Sequence, residues 1–239
     1  YLSGAKDDAL ETYDAIIKYN KDGRAYYLRG NLYYDMGEEK KALADYEEAV
    51  KQDKKDYELY IGIYESMKKH GAKENGQKYL NQAMEIKGEK AEDLLYKGQI
   101  SYLLGDYKTA VTDLTKAKED GQQKASYYLG LTYEAQGDTD KAQSYVKEYL
   151  DSGVATSYEL YDLGSSELDD GDYEEALTFF NAGLALEKVP NKQNLMKSAI
   201  AAYEYSGDFD SAKTMLKDYL EEYPSDEDAQ KESTFLETR

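Results

Sequence analysis

The chain of 239 residues has no cysteine, no tryptophan, two prolines and a single histidine, His70. The missing cysteines exclude disulfides and thiolate metal sites and leave the redox compartment open. With no second histidine either, nucleophilic pairs and triads find no support. His70 directly precedes a glycine, Gly71, and reads as an exposed turn residue. No glycine-rich phosphate loop is present, because each glycine stands isolated. Acidic runs such as Asp169-Asp170-Gly171-Asp172 lack the Asp-x-Asp-x-Asp-Gly order and distal Glu of a calcium loop, so helix capping is the simpler reading. Carboxylate pairs recur on helix faces and caps and carry no glycosidase signal. No apolar run approaches the roughly 20 residues of a membrane span, and no signal peptide lies within the sequence. Arginine occurs only at Arg24, Arg29 and Arg239 beside abundant lysine, which reads as codon bias rather than chemistry. No enzyme, cofactor or metal site is expected.

Charge is the next constraint. The formal net charge of −19 argues against phosphate backbones and anionic membrane surfaces, and favours a neutral or basic protein or peptide partner.

What the sequence does have is a repeat. Arg24 to Asp53, RAYYLRGNLYYDMGEEKKALADYEEAVKQD, spaces its apolar residues by three and four, through Tyr26, Gly30 and Tyr33 and then through Ala42, Tyr46 and Ala49. That is helical spacing, broken at Gly37 by a turn. Turn glycines follow at Gly4, Gly37, Gly71, Gly105, Gly137, Gly171 and Gly207, separated by 33, 34, 34, 32, 34 and 36 residues. Five residues after each comes a small residue: Ala9, Ala42, Gly76, Ala110, Ala142, Ala176, Ala212. Nine after comes a bulky one: Tyr13, Tyr46, Leu80, Leu114, Val146, Phe180, Leu216. Seven before, glycine recurs at Gly30, Gly98, Gly130 and Gly164. A fixed period with fixed residue sizes signals a solenoid.

This pattern resembles the tetratricopeptide repeat (TPR), a helix–turn–helix unit of 34 residues with a Leu-Gly pair, a later Tyr, Ala-x3-Phe and a closing Pro. Leu129-Gly130-x-x-Tyr133 and Leu163-Gly164 keep the pair; Arg29-Gly30 and Lys97-Gly98 keep only its glycine; Pro224 alone matches the closing proline. The family's early Trp is replaced by Tyr26, Tyr60, Leu94, Leu160 and Met196. The resemblance implies an all-α, right-handed superhelical solenoid over residues 1–225, its first unit truncated and six further units complete. Residues 226–239 follow as a C-terminal capping helix.

Small residues suit a close helix crossing, with the bulky residue expected to fill the gap toward the next unit. One unit departs from the rule: Tyr64 stands where a small residue belongs, and Gly76 is read as the hollow that accepts its ring. Gly-Asp turns at Gly105, Gly137, Gly171 and Gly207 predict aspartate N-caps. The shortened first unit and the missing initiator Met suggest that the natural protein begins further upstream. The compartment stays open between cytoplasm and an extracytoplasmic surface anchor, and the lysine-rich, acidic composition suits a bacterial source.

In the family, the first helix of each unit lines a concave groove, at positions ten, six and three before the turn glycine. The candidate groove set is Tyr27, Asn31, Tyr34, Gln99, Tyr102, Tyr127 and Tyr161. Tyrosine pairs a large apolar face with one hydroxyl and is enriched at recognition surfaces. The competing reading is plain packing, since the chain has 27 tyrosines. On the recognition reading the rings should be partly exposed in one groove. The expected function is a non-catalytic scaffold binding a protein segment there. The alternatives are a carbohydrate or small-ligand receptor using the same rings, or a structural module of a larger assembly. The family's carboxylate clamp is not expected: Asn31 matches one asparagine, but Tyr27 stands where its lysine belongs.

Overall fold

The computed structural model describes residues 2–237. Fourteen α-helices and no strands lie among the described residues. They are α1 (Leu2–Asn20), α2 (Gly23–Asp35), α3 (Glu39–Gln52), α4 (Tyr57–Lys69), α5 (Lys73–Met84), α6 (Ala91–Leu104) and α7 (Tyr107–Glu119). Then follow α8 (Lys124–Ala135), α9 (Thr139–Asp151), α10 (Ser157–Asp170), α11 (Tyr173–Leu184), α12 (Lys192–Ser206), α13 (Phe209–Glu222) and α14 (Glu227–Leu236). Packing divides the chain into two compact units, Tyr1–Tyr149 and Leu150–Arg239.

The turns form as their residues dictate. Gly37, Gly71, Gly105, Gly137, Gly171 and Gly207 all have φ between 76° and 87°, a left-handed conformation that costs glycine nothing. At Gly105 the following Asp106 N–H donates back to the Ser101 carbonyl at 2.9 Å. The Asp106 carboxylate then accepts from the Thr109 N–H at 3.2 Å and opens α7. Asp172 and Asp208 repeat this at α11 and α13. Gly4 does not: α1 runs straight through it.

In the first unit the glycine hollows show what the repeat is for. A Cβ built on Gly30 would sit 2.7 Å from Tyr46 Cε1; one on Gly130 would sit 2.8 Å from Val146 Cγ2. Leu114 crowds Gly98 in the same way, at 2.5 Å. The bulky residue of the second helix therefore seats on the glycine of its own unit. At Tyr46 it also reaches the next pair, where its hydroxyl pairs with Ser66 of α4 and its ring meets Tyr79 of α5 edge to face. The α4–α5 pair inverts the arrangement as expected. Tyr64 of α4 is 1% exposed, and a Cβ on Gly76 of α5 would lie 3.2 Å from its Cδ2.

The second unit follows the regular form. Phe180 is fully buried, and its Cε1 would lie 2.6 Å from a Cβ on Gly164. Leu195, Leu216 and Tyr219 continue the core toward α14, which contributes Ala229 and Leu236.

Two further readings of the sequence need correction. Arginine is placed by chemistry. Arg29 donates through Nε and Nη2 to both oxygens of the buried Asp45, at 2.8 and 2.6 Å, and through Nη1 to Asp14 at 2.5 Å. Its guanidinium also lies 5.5 Å from the Tyr26 ring centre and 5.8 Å from that of Tyr33. The hydrogen bonds it donates to Asp45 hold it above its ordinary pKa. Arg24 likewise forks between Asp56 and Glu58. Lysine's single ammonium cannot supply this planar, many-donor geometry. His70, for its part, is half-buried rather than exposed. Its ring lies 4.5 Å from that of Tyr34, with Nδ1 at 2.8 Å from the Ser66 carbonyl and Nε2 at 3.1 Å from Asp35, so it ties α4 to the end of α2.

Candidate functional site

The expected groove residues of the first unit pack inward more than the sequence suggested. Tyr34 is 8% exposed and Tyr127 4%, which removes both from an accessible ladder. Tyr34 stacks on Tyr46 with centroids 6.1 Å apart, and Tyr127 lies 5.6 Å from Tyr149. Tyr27 is half-buried: its ring is 6.3 Å from Tyr46, and its hydroxyl presses on the backbone of α4 at Gly62. Asn31 accepts a 2.7 Å hydrogen bond from the Tyr46 hydroxyl, which also pairs with Ser66 Oγ at 2.8 Å. Asn31 thus serves the core. Tyr102 and Gln99 are half-buried on α6. In the second unit Tyr161 is half-buried, 6.2 Å from Phe180.

Helix geometry explains the inward packing. Tyr27, Gly30 and Tyr34 stand at i, i+3 and i+7, so they share one stripe. The stripe that holds the hollow for Tyr46 also brings the flanking rings against Tyr46. Position ten before the turn glycine is therefore a partly core position in the pairs with glycine seven before it, and position three is so at Tyr34, Tyr102 and Leu168 but not at the exposed Glu134.

The last helix pair is different. Its three positions are Lys197, Ala201 and Glu204, and Ile200 replaces the glycine. No ring fills the face, and α14 lies alongside. The result is an open pocket of about 260 Å³ between α12, α13 and α14. Its floor is Ile200, Ala201, Leu216, Tyr219 and Ala229. Three carboxylates, Glu204, Asp228 and Glu232, stand at the edge with one lysine, Lys197. Lys197 is already committed: its Nζ lies 2.6 Å from Asp226 Oδ2. That hydrogen bond, with those from the Tyr219 hydroxyl and the Ala229 N–H, holds the Asp226 carboxyl well below the usual range. The three groove positions of this pair carried the signal in sequence, but with no tyrosine among them they did not stand out.

Among the described residues no group of three or more His, Cys, Asp or Glu side chains could hold a metal ion, and no helix is long and apolar enough to cross a membrane.

Tetratricopeptide repeat models match residues 23–56, 127–191 and 167–231, and the chain belongs to the tetratricopeptide repeat family. Proteins of this family are repeat scaffolds for protein–protein interaction, generally without catalysis. A tetratricopeptide repeat protein from Parabacteroides merdae ATCC 43184 shares the fold with a TM-score of 0.50 and 15% identity, over 84% of this chain and 78% of that one. A chain of the APC/C hetero-tetramer Cut9–Hcn1 aligns at a TM-score of 0.46 and 17% identity over 98% of this chain, which spans 46% of that chain's length. YrrB, a TPR protein with an unusual peptide-binding site, aligns at 0.39 and 20% identity, over 79% of this chain and 98% of its own. No curated protein matches in sequence.

Proposed function

We propose that this chain is a non-catalytic scaffold that seats a protein segment on its first helices, and that its best-formed seat is the pocket between α12, α13 and α14. The observation that carries this reading is the apolar floor edged by Glu204, at a groove position of the last pair, and by Asp228 and Glu232 of α14. A cavity of about 260 Å³ takes one or two side chains rather than a larger ligand. The ligand chemistry that suits it is an aliphatic or aromatic residue next to Lys or Arg, because the apolar group covers the floor and the cation meets the carboxylates. In the first unit the half-exposed edges of Tyr27, Tyr102 and Gln99, and in the second that of Tyr161, are further contact points on first helices. Tyr34, Tyr127 and Asn31 are left to the core.

The test is a peptide display selection on the whole chain, repeated on Ala201→Trp, which fills the pocket from its floor. The expected result is enrichment of apolar–basic motifs on the wild type and their loss on the variant, with the melting temperature unchanged. Motifs retained by Ala201→Trp, or no enrichment at all, would overturn the reading.

A further inference from the structure

A second groove has a lining of the opposite charge. It opens in the first unit where the C-terminal ends of α3 and α5 come side by side, with a volume of about 610 Å³. Val50, Tyr60 and Ile86 form its apolar floor, and the Tyr60 hydroxyl is tied down by donation to the Lys54 carbonyl at 3.3 Å. Lys51, Lys54, Lys55 and Lys87 surround it, with Glu85 the single acid of the lining.

In a chain of net charge −19 this local sign needs a reason. Part of it is structural: lysines complement the negative ends of helices. Two helix ends supply only about −0.5 charge each, however, so four lysines against them, Glu85 and the Glu48 that pairs with Lys51 leave about one positive charge in excess. Of the neighbouring acids only Glu48 forms an ion pair with a rim lysine among the described residues, while Asp53 and Asp56 are hydrogen-bonded to α2. The Asp53 carboxylate accepts from the Gly23 N–H at 3.1 Å, and Asp56 accepts from Arg24 Nε and from the Leu59 N–H, each at 3.2 Å. Lys51 pairs with Glu48, but Lys54, Lys55 and Lys87 have no ion pair among the described residues.

We infer that this groove binds an acidic protein segment carrying one large apolar side chain. The apolar residue covers Val50, Tyr60 and Ile86, and the flanking carboxylates meet Lys54, Lys55 and Lys87. Charge complementarity selects this occupant. A basic segment of the kind proposed for the α12–α14 pocket is repelled here. A nucleic-acid strand would gain four lysines and meet the field of an otherwise acidic surface. The inference does not rest on the α12–α14 reading, and each can fail alone.

The experiment is fluorescence anisotropy with the full chain and a labelled Glu-Asp-Phe-Asp-Glu peptide. Controls are the same peptide with Gly for Phe, a Lys-Lys-Phe-Lys-Lys peptide and a single-stranded oligonucleotide of equal charge. The expected result is saturable binding of the acidic aromatic peptide alone, weakening as salt is raised. Lys54→Glu with Lys87→Glu should weaken it by at least about tenfold. Lys54→Gln with Lys87→Gln should give a smaller loss, with both melting temperatures unchanged. Equal binding of the Gly control, tighter binding of the oligonucleotide, no binding, or no change in the charge-reversed variant would each overturn the proposal.

Discussion

The α4–α5 pair and the α10–α11 pair solve one packing problem in opposite ways. In α10–α11 the hollow is Gly164 on the first helix, and the ring that fills it is Phe180 on the second. In α4–α5 the ring, Tyr64, is on the first helix and the hollow, Gly76, on the second. The repeat thus constrains the combined volume at the helix crossing and leaves open which helix gives way. If that is right, truncating either ring should cost the same. Phe180→Ala and Tyr64→Ala are each expected to lose about 3–5 kcal/mol in denaturant titration, since both empty a fully packed site. A cost below about 1 kcal/mol for Tyr64→Ala would show that the inverted pair is not a packing equivalent.

Filling the hollow is the converse test, and here the two pairs should separate. A Cβ on Gly164 would sit 2.6 Å from Phe180 and 3.0 Å from the Ala176 carbonyl oxygen. Neither neighbour can retreat from a close-packed site. Overpacking of up to about 3 kcal/mol outweighs the roughly 1 kcal/mol by which Ala is the better helix former. Gly164→Ala should therefore lose about 2 kcal/mol. A melting temperature equal to wild type would mean that the crossing can open freely.

The regular α2–α3 pair adds a polar lock. Tyr46 fills the Gly30 hollow, and its hydroxyl reaches Asn31 at 2.7 Å and Ser66 at 2.8 Å. Tyr46→Phe removes both bonds and leaves two partly buried polar groups behind. The expected loss is about 1–2 kcal/mol, read as a lowered denaturation midpoint with an unchanged slope.

Period, turns, aspartate caps and the Tyr64–Gly76 exchange were legible in sequence because each rests on local geometry: one residue, one φ, one size. The groove was legible only as a set of positions. The helical stripe that puts Tyr27 and Tyr34 beside Gly30 also commits them to Tyr46, and no count of tyrosines reveals that commitment. Arg29 was missed because its partners, Asp14 and Asp45, lie 15 and 16 residues away on other helices. The pocket between α12, α13 and α14 was missed for the opposite reason. It exists where bulk is absent, at Ala201, and the reading favoured positions where bulk was present.

The inverted pair gives a smaller effect when its own hollow is filled. A Cβ on Gly76 would meet Tyr64 Cδ2 at 3.2 Å and Met67 Cβ at 3.3 Å, tight but short of a clash. Tyr64 and Met67 are each 1% exposed and have little room to yield. Gly76→Ala should still lower stability, by less than about 1 kcal/mol once Ala's helix propensity is counted. A raised melting temperature would show that Tyr64 does not depend on the hollow.

The smallest effect, with the opposite sign, belongs to Tyr79 of α5. Tyr79 and Tyr46 meet edge to face with centroids 6.4 Å apart, and both are almost fully buried. The Tyr46 hydroxyl has two partners, whereas the Tyr79 hydroxyl has none among the described residues. Burial, and then the nearby Glu47 carboxylate, push the Tyr79 pKa up, so the group stays a neutral hydroxyl with an unmet bond. The Lys78 ammonium lies 4.8 Å from the ring centre and attracts its face, an interaction that a phenyl ring keeps. Tyr79→Phe therefore retains the packing, the edge-to-face contact and the cation, and removes only a desolvated polar atom. The expected change lies between zero and about 1 kcal/mol of added stability. Measured beside Tyr46→Phe under the same conditions, the two conservative changes should move the midpoint in opposite directions. A loss for Tyr79→Phe as large as that for Tyr46→Phe would mean that an ordered water completes the Tyr79 hydroxyl, and the two rings would then be equivalent after all.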